Sequence, residues 1–297
     1  MEPKSRSLDS TAGRRGDVPL ARYIEASRKL DLTGIDWDRI ADHPIDPRAL
    51  DCLVYMADIE GFTVAYLRDM LNTAAIDDPE IPRFLTLWAY EELFHQEALA
   101  RFLAAYGITL QPTRQRDLRQ RRTLRDRAMM SFAGMASRLA PDFIAAYLTW
   151  GAINELSTLT AYELLAARTG HPILSDLLGR IVKDERRHFS FYYNRARRRL
   201  EEPRARRMTS ALIKHFWQPV GDGVKTREEM EATIHHCLAG PAGLAAARRM
   251  DGLIAALPGL EWFRRWEEFW QAGPTSGHDA RVITGGTAGP VAAVGPV

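Results

Sequence analysis

A chain of 297 residues, 46% of them hydrophobic, can bury a sizeable core in one large domain or two small ones. A net charge of only +2 argues against generic nucleic-acid binding, and no uninterrupted apolar run approaches the length a membrane span needs. Two cysteines far apart, Cys52 and Cys237, make no disulfide framework, and the N-terminal MEPKSRSLDSTAGRRGD has no apolar stretch of the signal-peptide kind; together these point to a reducing, cytoplasmic setting.

In chain order, residues 1–18 read as disordered, 19–272 as one continuous helical domain, and 273–297, rich in Gly, Pro and small residues, as a second disordered tail. A first long helix is expected from about Pro47 to Thr73. The second opens near Pro79, tolerates Pro82 in its first turn, and closes before Gly107. The third opens near Pro141-Asp142 and ends at Gly170, a residue suited to a left-handed cap. Gly151 inside it implies close packing or a bend. The fourth runs from Pro172 to about Leu200, with Pro203 beyond. Shorter helices follow at about 204–217, 226–238, 241–256 and 258–271, the last set burying Trp262, Phe263, Trp266 and Trp270 as core. Alternating β-type patterns are absent, so the class is all-α: a four-helix bundle with additional C-terminal helices.

The four long helices carry a repeated chemistry. Glu92-Leu-Phe-His95 and Glu185-Arg-Arg-His188 are the only two Glu-x-x-His strings in the chain. Upstream of each lies a helix with a glutamate set in an apolar run: Glu60 in VYMADIEGFTVAYLRDML and Glu155 in YLTWGAINELSTLTAYELL. Residues i and i+3 on a helix are about 4.5 Å apart along the axis and about 60° apart around it. A Glu and a His so placed can ligate one metal while the carboxylate reaches a second. The order Glu, ExxH, Glu, ExxH is the pattern of a carboxylate-bridged di-iron site, with Glu92 and Glu185 bridging and Glu60 and Glu155 terminal. Four carboxylates balance two ferrous ions, whereas four buried together without metal would be costly and would take up protons. This mix of oxygen and imidazole ligands suits iron or manganese better than a thiolate-seeking metal. One ExxH alone is a weak signal; two in register with two further buried Glu are hard to obtain by accident.

The surrounding segments resemble one family. YEELFHQEALARFLAAYG is similar to the EENRH helix of the soluble acyl-acyl-carrier-protein desaturases, and KDERRHFSFYY to their DEKRH motif. DMLNTA, HFWQPVGDG and DGLIAALPGLEWFRRWEE resemble further segments of that family, so that the likeness covers most of residues 35–270. The resemblance implies a ferritin-like bundle, two irons per chain held by Glu60, Glu92, His95, Glu155, Glu185 and His188, and a homodimer. It implies a carrier-borne acyl substrate, dioxygen, and a ferredoxin-type electron donor. It singles out Thr158, one turn after Glu155, as a hydroxyl facing the dioxygen side, where it could donate a proton; a helical Thr also commonly bonds its own backbone. It implies that Asp184 fixes the distal nitrogen of His95, with Trp37 as the aromatic residue continuing that link. The chain departs from the plant-type pattern at Leu93 and Phe94, which stand where polar and basic residues are usual.

Arginines cluster at 113–127, including Arg114, Arg116, Arg119, Arg121 and Arg122, and again at 195–207. An acidic acyl carrier protein could dock on such faces, although each run taken singly reads first as a solvated helix face. His235-His236 reads as surface. Two other functions fit the same scaffold: a hydroxylase, N-oxygenase or ribonucleotide reductase small subunit, and a ferritin-like iron store. The reductase is disfavoured because Leu99 stands where its radical tyrosine would lie. The iron store needs no long C-terminal helical extension.

Overall fold

The computed structural model of the protein describes residues 20–121, 140 and 142–273. The expected disordered ends, 1–18 and 273–297, lie outside the described residues except for Gly273, as do Arg122 and the rest of the arginine run to 127. Among the described residues the fold is all-α, without strands. Its helices are α1 (Leu20–Ala26), α2 (Pro47–Leu71), α3 (Ile81–Ala104), α4 (Arg114–Arg121), α5 (Phe143–Thr169), α6 (Pro172–Arg199), α7 (Pro203–Phe216), α8 (Arg227–Cys237), α9 (Gly240–Ala255) and α10 (Arg265–Ala272). None is long and apolar enough to cross a membrane.

Local chemistry sets the ends of the four long helices. The Asp46 carboxylate accepts from the Arg48 N–H, and Pro47 opens α2 where no N–H is needed. Asp78 accepts from the Glu80 and Ile81 N–H groups, which holds Pro79 outside and starts α3 at Ile81, two residues later than the proline pattern implies. Gly170 ends α5 with φ +59°, and the His171 ring takes over at once, its Nδ1 accepting from the Leu174 N–H to cap α6. The α6 motif is strongly amphipathic, and its inward face carries Leu174, Leu177, Leu178, Ile181, Glu185 and His188.

Helices α2 and α3 form one hairpin and α5 and α6 another; α3 and α6 face each other across the bundle axis. Gly151 permits the tight α5–α6 approach, since a Cβ there would lie 2.5 Å from the Tyr192 ring. The C-terminal helices cover one flank: α7 and α9 lie on α5, α8 on α2 and α5, and α10 on α9. Helix α10 begins at Arg265, later than the pattern suggests, because the buried Asp251 carboxylate accepts from the Trp266 and Glu267 N–H groups and fixes that start. Phe263 and Trp266 are core as expected, but Trp262 and Trp270 are only half-buried. His235 and His236, expected at the surface, are half-buried in the last turn of α8.

Candidate metal centre

The bundle interior gathers the repeated motif. Glu60 comes from α2, Glu92 and His95 from α3, Glu155 from α5, and Glu185 and His188 from α6; all six are buried, with at most 7% of any one exposed. Their ligating atoms converge in two sets, Glu60–Glu92–His95–Glu185 and Glu92–Glu155–Glu185–His188, each within 4.8 Å. The sets share Glu92 and Glu185, and the two imidazoles fall in different sets. Each shared carboxylate turns one oxygen to either histidine. Glu185 places Oε1 at 3.1 Å from His95 Nδ1 and Oε2 at 3.6 Å from His188 Nδ1; Glu92 places Oε2 at 3.7 Å from His95 Nδ1 and Oε1 at 3.0 Å from His188 Nδ1. Glu60 Oε2 completes one set at 3.8 Å from His95 Nδ1, and Glu155 Oε2 the other at 3.5 Å from His188 Nδ1. Neighbouring donors around an octahedral ion, each about 2.1 Å from it, sit about 3.0 Å apart; the two shortest spacings match such an edge and the other four are somewhat longer.

The residues fit a pair of ions on a second count. His95 Nδ1, His188 Nδ1 and Glu185 Oε1 are fully buried yet make no hydrogen bond, although each faces the shared interior. Buried polar atoms without partners are rare and costly. Glu185 belongs to both sets and each imidazole to one, so these atoms are placed to act as metal ligands.

The outer nitrogens of both rings are held. His95 Nε2 meets Asp184 Oδ2 at 3.3 Å, and His188 Nε2 meets Glu91 Oε2 at 2.8 Å. Each partner is the residue just before the ligand glutamate of the opposite helix. Arg187 ties the two together, one guanidinium nitrogen donating to Asp184 at 2.7 Å and another to Glu91 at 2.8 Å, and the Tyr23 hydroxyl donates to Glu91 at 2.8 Å. Carboxylates so placed fix the tautomer and orientation of a ligating imidazole, leaving Nδ1 free for the metal. Glu91 and Tyr23 were not among the residues singled out from sequence. Glu91 had a signal, since it precedes Glu92 as Asp184 precedes Glu185; Tyr23 had none. Trp37 does not reach Asp184. It stands at the start of a short 3-10 turn, Trp37–Asp42, with the Arg101 guanidinium stacked 3.9 Å over its ring, near the far end of α3.

Without metal, protons do the electrostatic work. Burial, with Glu60 and Glu185 nearby, pushes Glu92 up to about 8, and burial drives Glu155 well above the carboxylate range. Burial works against charge on His95 and His188 too, but the surrounding carboxylates outweigh it and hold both as imidazolium. Burial would also raise Glu185, yet the His188 and His95 rings beside it hold it well below its ordinary value. Glu91 falls to about 2, because its bonds to His188 and Tyr23 and the Arg187 charge overcome its burial. Without metal the site thus draws in protons to offset its buried carboxylates, the role divalent cations would otherwise fill.

An apolar cavity of about 60 Å³ adjoins the first set. Glu60 and Thr158 enter its wall beside Tyr55, Met56, Ile59 and Ala161, and Val220, Ile234, Met250 and Trp266 line it from the C-terminal flank. Thr158 is half-buried there, on the same helix as Glu155. The fully buried Tyr162 donates its hydroxyl to Glu60 Oε1, which leaves Oε2 for the metal side.

The arginine run is only partly free. Arg114 turns inward and grips the fully buried Asp58 through two nitrogens, and Lys225 joins them from the opposite side at 2.9 Å. Its expected docking role is therefore replaced by a structural one: an uncompensated buried Asp58 would be far costlier than a surface charge left in water. Arg116 and Arg119 are exposed on α4, and the side chain of Arg121 and all of Arg122 lie outside what is described.

These features define an all-α bundle whose interior holds two overlapping Glu/His sets able to bind a pair of metal ions. Comparison with protein-family models, with curated proteins and with solved structures finds no match to this chain.

Proposed function

We propose that this protein is a di-iron oxidoreductase that uses dioxygen to oxidise an unactivated C–H bond, and that its reaction is the introduction of a double bond into an acyl chain presented by acyl carrier protein. The observation that carries the reading is the pair of Glu/His sets sharing Glu92 and Glu185, with three orphaned donor atoms facing inward. Iron is favoured by the ligand chemistry, four carboxylates and two imidazoles with no thiolate.

Bound there, an iron pair would supply the reductive activation of dioxygen. The chain's own residues do the rest. Glu60, Glu92, His95, Glu155, Glu185 and His188 would hold the pair, Glu92 and Glu185 being common to both sets, and Asp184 and Glu91 would keep the imidazoles aimed. The Thr158 hydroxyl sits in the wall of the cavity next to Glu60, where it can hand a proton to a reacting oxygen. The remaining wall is almost wholly apolar, which suits a hydrocarbon segment and excludes water from a strong oxidant. The acyl carrier, a ferredoxin-type electron donor, homodimerisation and a cytoplasmic location follow from the resemblance of the ligand helices to the soluble desaturases.

A hydroxylase acting through the same cavity is the second reading, because the same residues would serve it. The deciding experiment is reconstitution with ferrous iron, metal analysis, then incubation with acyl carriers of several chain lengths, reduced ferredoxin and air. About two irons per chain and a mono-unsaturated acyl product support the proposal. A hydroxylated product moves it to the second reading, and oxidation of a free small molecule but of no acyl carrier removes the carrier protein.

A further inference from the structure

Helix α3 has two unlike faces. Inward it presents Glu91, Glu92 and His95 to the metal centre. Outward runs a line of side chains with no part in that centre: Arg83, Leu87, Tyr90, Leu93, Phe94 and Glu97. Steps of three, four and seven residues keep them on one side of the helix. Tyr90 and Leu93 are 44% and 40% exposed, large apolar groups left in water beside the buried Glu91 and Glu92. Phe94 is half-buried and meets Tyr90 edge to face at 4.9 Å. Helix α3 packs on α2, α6 and α1, while the C-terminal helices cover the flank of α2 and α5. Scattered exposed apolar residues are ordinary, but a stripe along one helix marks a contact surface. Arg83 and Glu97 stand at its two ends, about 21 Å apart along the axis. Both are exposed, and among the described residues neither has an ion-pair partner.

We propose that this stripe is the surface on which a second copy of the chain packs, α3 against α3, antiparallel about a twofold axis at Tyr90. The charges select both the partner and the register. Tyr90 lies midway between Arg83 and Glu97 in sequence, seven residues from each. An axis there sets Arg83 against Glu97 of the second copy, Glu97 against its Arg83, Leu87 against its Leu93, and Tyr90 on Tyr90. Sliding the axis two residues, to Glu92, would bring Arg83 onto Arg101 of the second copy. A parallel arrangement would set Arg83 on Arg83 and Glu97 on Glu97. Both alternatives put like charges face to face, which is costly. The stripe is thus complementary to itself, with an apolar centre and oppositely charged ends, as a twofold contact requires. A stable interface takes about 800 Å² from each partner, more than one helix stripe offers. The helices that flank α3 add exposed aliphatic groups, Ile24 on α1 and Val64 on α2. This contact deepens the homodimer of the proposed function by giving it a face and a register, and it stands apart from the metal chemistry.

The full-length chain is tested by sedimentation velocity over a range of concentrations, both metal-free and iron-loaded. The expected result is a dimer that dissociates in the micromolar range in both forms. Tyr90→Lys and Leu93→Lys, both at exposed positions, should each leave a monomer with unchanged helical circular dichroism. Arg83→Glu and Glu97→Arg should each weaken dimerisation about tenfold, because each creates two like-charged pairs per dimer. Combined in one chain, the two reversals should restore it to within about threefold of the original. Tyr90→Cys, on the axis, should close an interchain disulfide under mild oxidation, and Arg101→Cys should not. A monomer at every concentration would overturn the proposal. So would a dimer indifferent to Tyr90→Lys and Leu93→Lys, since its contact lies elsewhere. A double reversal no tighter than the single ones would remove the register and the proposal with it. A monomer whose thermal midpoint falls in Tyr90→Lys would give the stripe to another segment of the same chain, an equal defeat. A monomer that binds iron sinks this interface and leaves the di-iron reading standing; a dimer that obeys these variants yet binds no iron does the reverse.

Discussion

The two halves of the bundle supply the same ligands and surround them differently. In the first half, α2 and α3, His95 leans on Asp184 at 3.3 Å, Glu60 is held by the Tyr162 hydroxyl, and an apolar cavity opens beside the ligands. In the second, α5 and α6, His188 leans on Glu91 at 2.8 Å, and aromatic rings close over it: Tyr23 and Phe84 lie within 6.5 Å of the imidazole, and Phe191 stacks on Phe84 at 3.8 Å. The repeat extends to the threonines, Thr63 three residues after Glu60 and Thr158 three after Glu155. Only Thr158 lines the cavity; Thr63 is buried. The two Glu/His sets are thus alike in residue type and unlike in surroundings, an apolar cavity beside one and packed aromatic rings over the other.

The largest expected effects fall on the ligands and should be equal in the two halves. His95→Ala and His188→Ala each remove one donor from one set and leave both bridging carboxylates. We expect metal content to drop from about two ions per chain to one or none, turnover to vanish, and circular dichroism to remain largely helical. Retention of two ions with full turnover in either variant would count against the dinuclear centre. Stoichiometric zinc without iron in natively purified protein would count against iron.

Access should then separate the threonines. Thr158→Ala ought to keep both ions yet lower the rate within the roughly 10²–10⁴-fold range of a positioned acid–base group, with peroxide released in place of product. Thr63→Ala should leave coupling unchanged. If both behave alike, the cavity side is not the reaction side, and the contrast between the halves loses its functional meaning.

The outer carboxylates grade more finely. Asp184→Asn and Glu91→Gln should each weaken metal affinity by about 10–100-fold, the usual cost of losing a ligand's hydrogen-bonded partner. Glu91→Gln should be the worse of the two. Its bond to the imidazole is shorter, and Arg187 and Tyr23 both converge on it. Competition with a chelator during iron titration reads the difference.

These contrasts also mark how much the sequence discloses. The long helices and the convergence of the six Glu and His side chains were legible because the i, i+3 spacing fixes side-chain direction before any tertiary contact forms. The all-α class followed from the same periodicity. Surroundings were less legible. Tyr23 and Tyr162 act across 68 and 102 residues of chain, and no local rule links them to Glu91 or Glu60. Trp37 was misplaced because an aromatic residue near the N-terminus was needed, and sequence order does not say which one folds back over α3. Arg114 looked like one of many solvated arginines. Its true partner was visible, Asp58 inside the apolar run of α2, but a lone acid two residues before Glu60 was easily absorbed into the ligand pattern.

The smallest expected effects concern docking, where the halves again differ. Of the two arginine-rich runs, the first leaves Arg116 and Arg119 exposed on α4, which packs on α2 beside the cavity flank. The second is partly engaged in holding the fold: Arg195 pairs with Glu80 and Arg199 with Asp78, tying α6 to the start of α3, while Arg204 and Arg207 stay exposed on α7. If an acidic carrier approaches the cavity side, Arg116→Glu with Arg119→Glu should raise the apparent Michaelis constant for the acyl carrier several-fold at low salt. The difference should fade as ionic strength rises, because exposed charges are screened over about 10 Å at 0.1 M. Single-turnover chemistry should be unchanged, since neither residue touches the site. Arg204→Glu with Arg207→Glu serves as the matched reversal on the other face. A larger effect there would move the docking surface to α7, and no effect from either pair would return both runs to plain solvated faces.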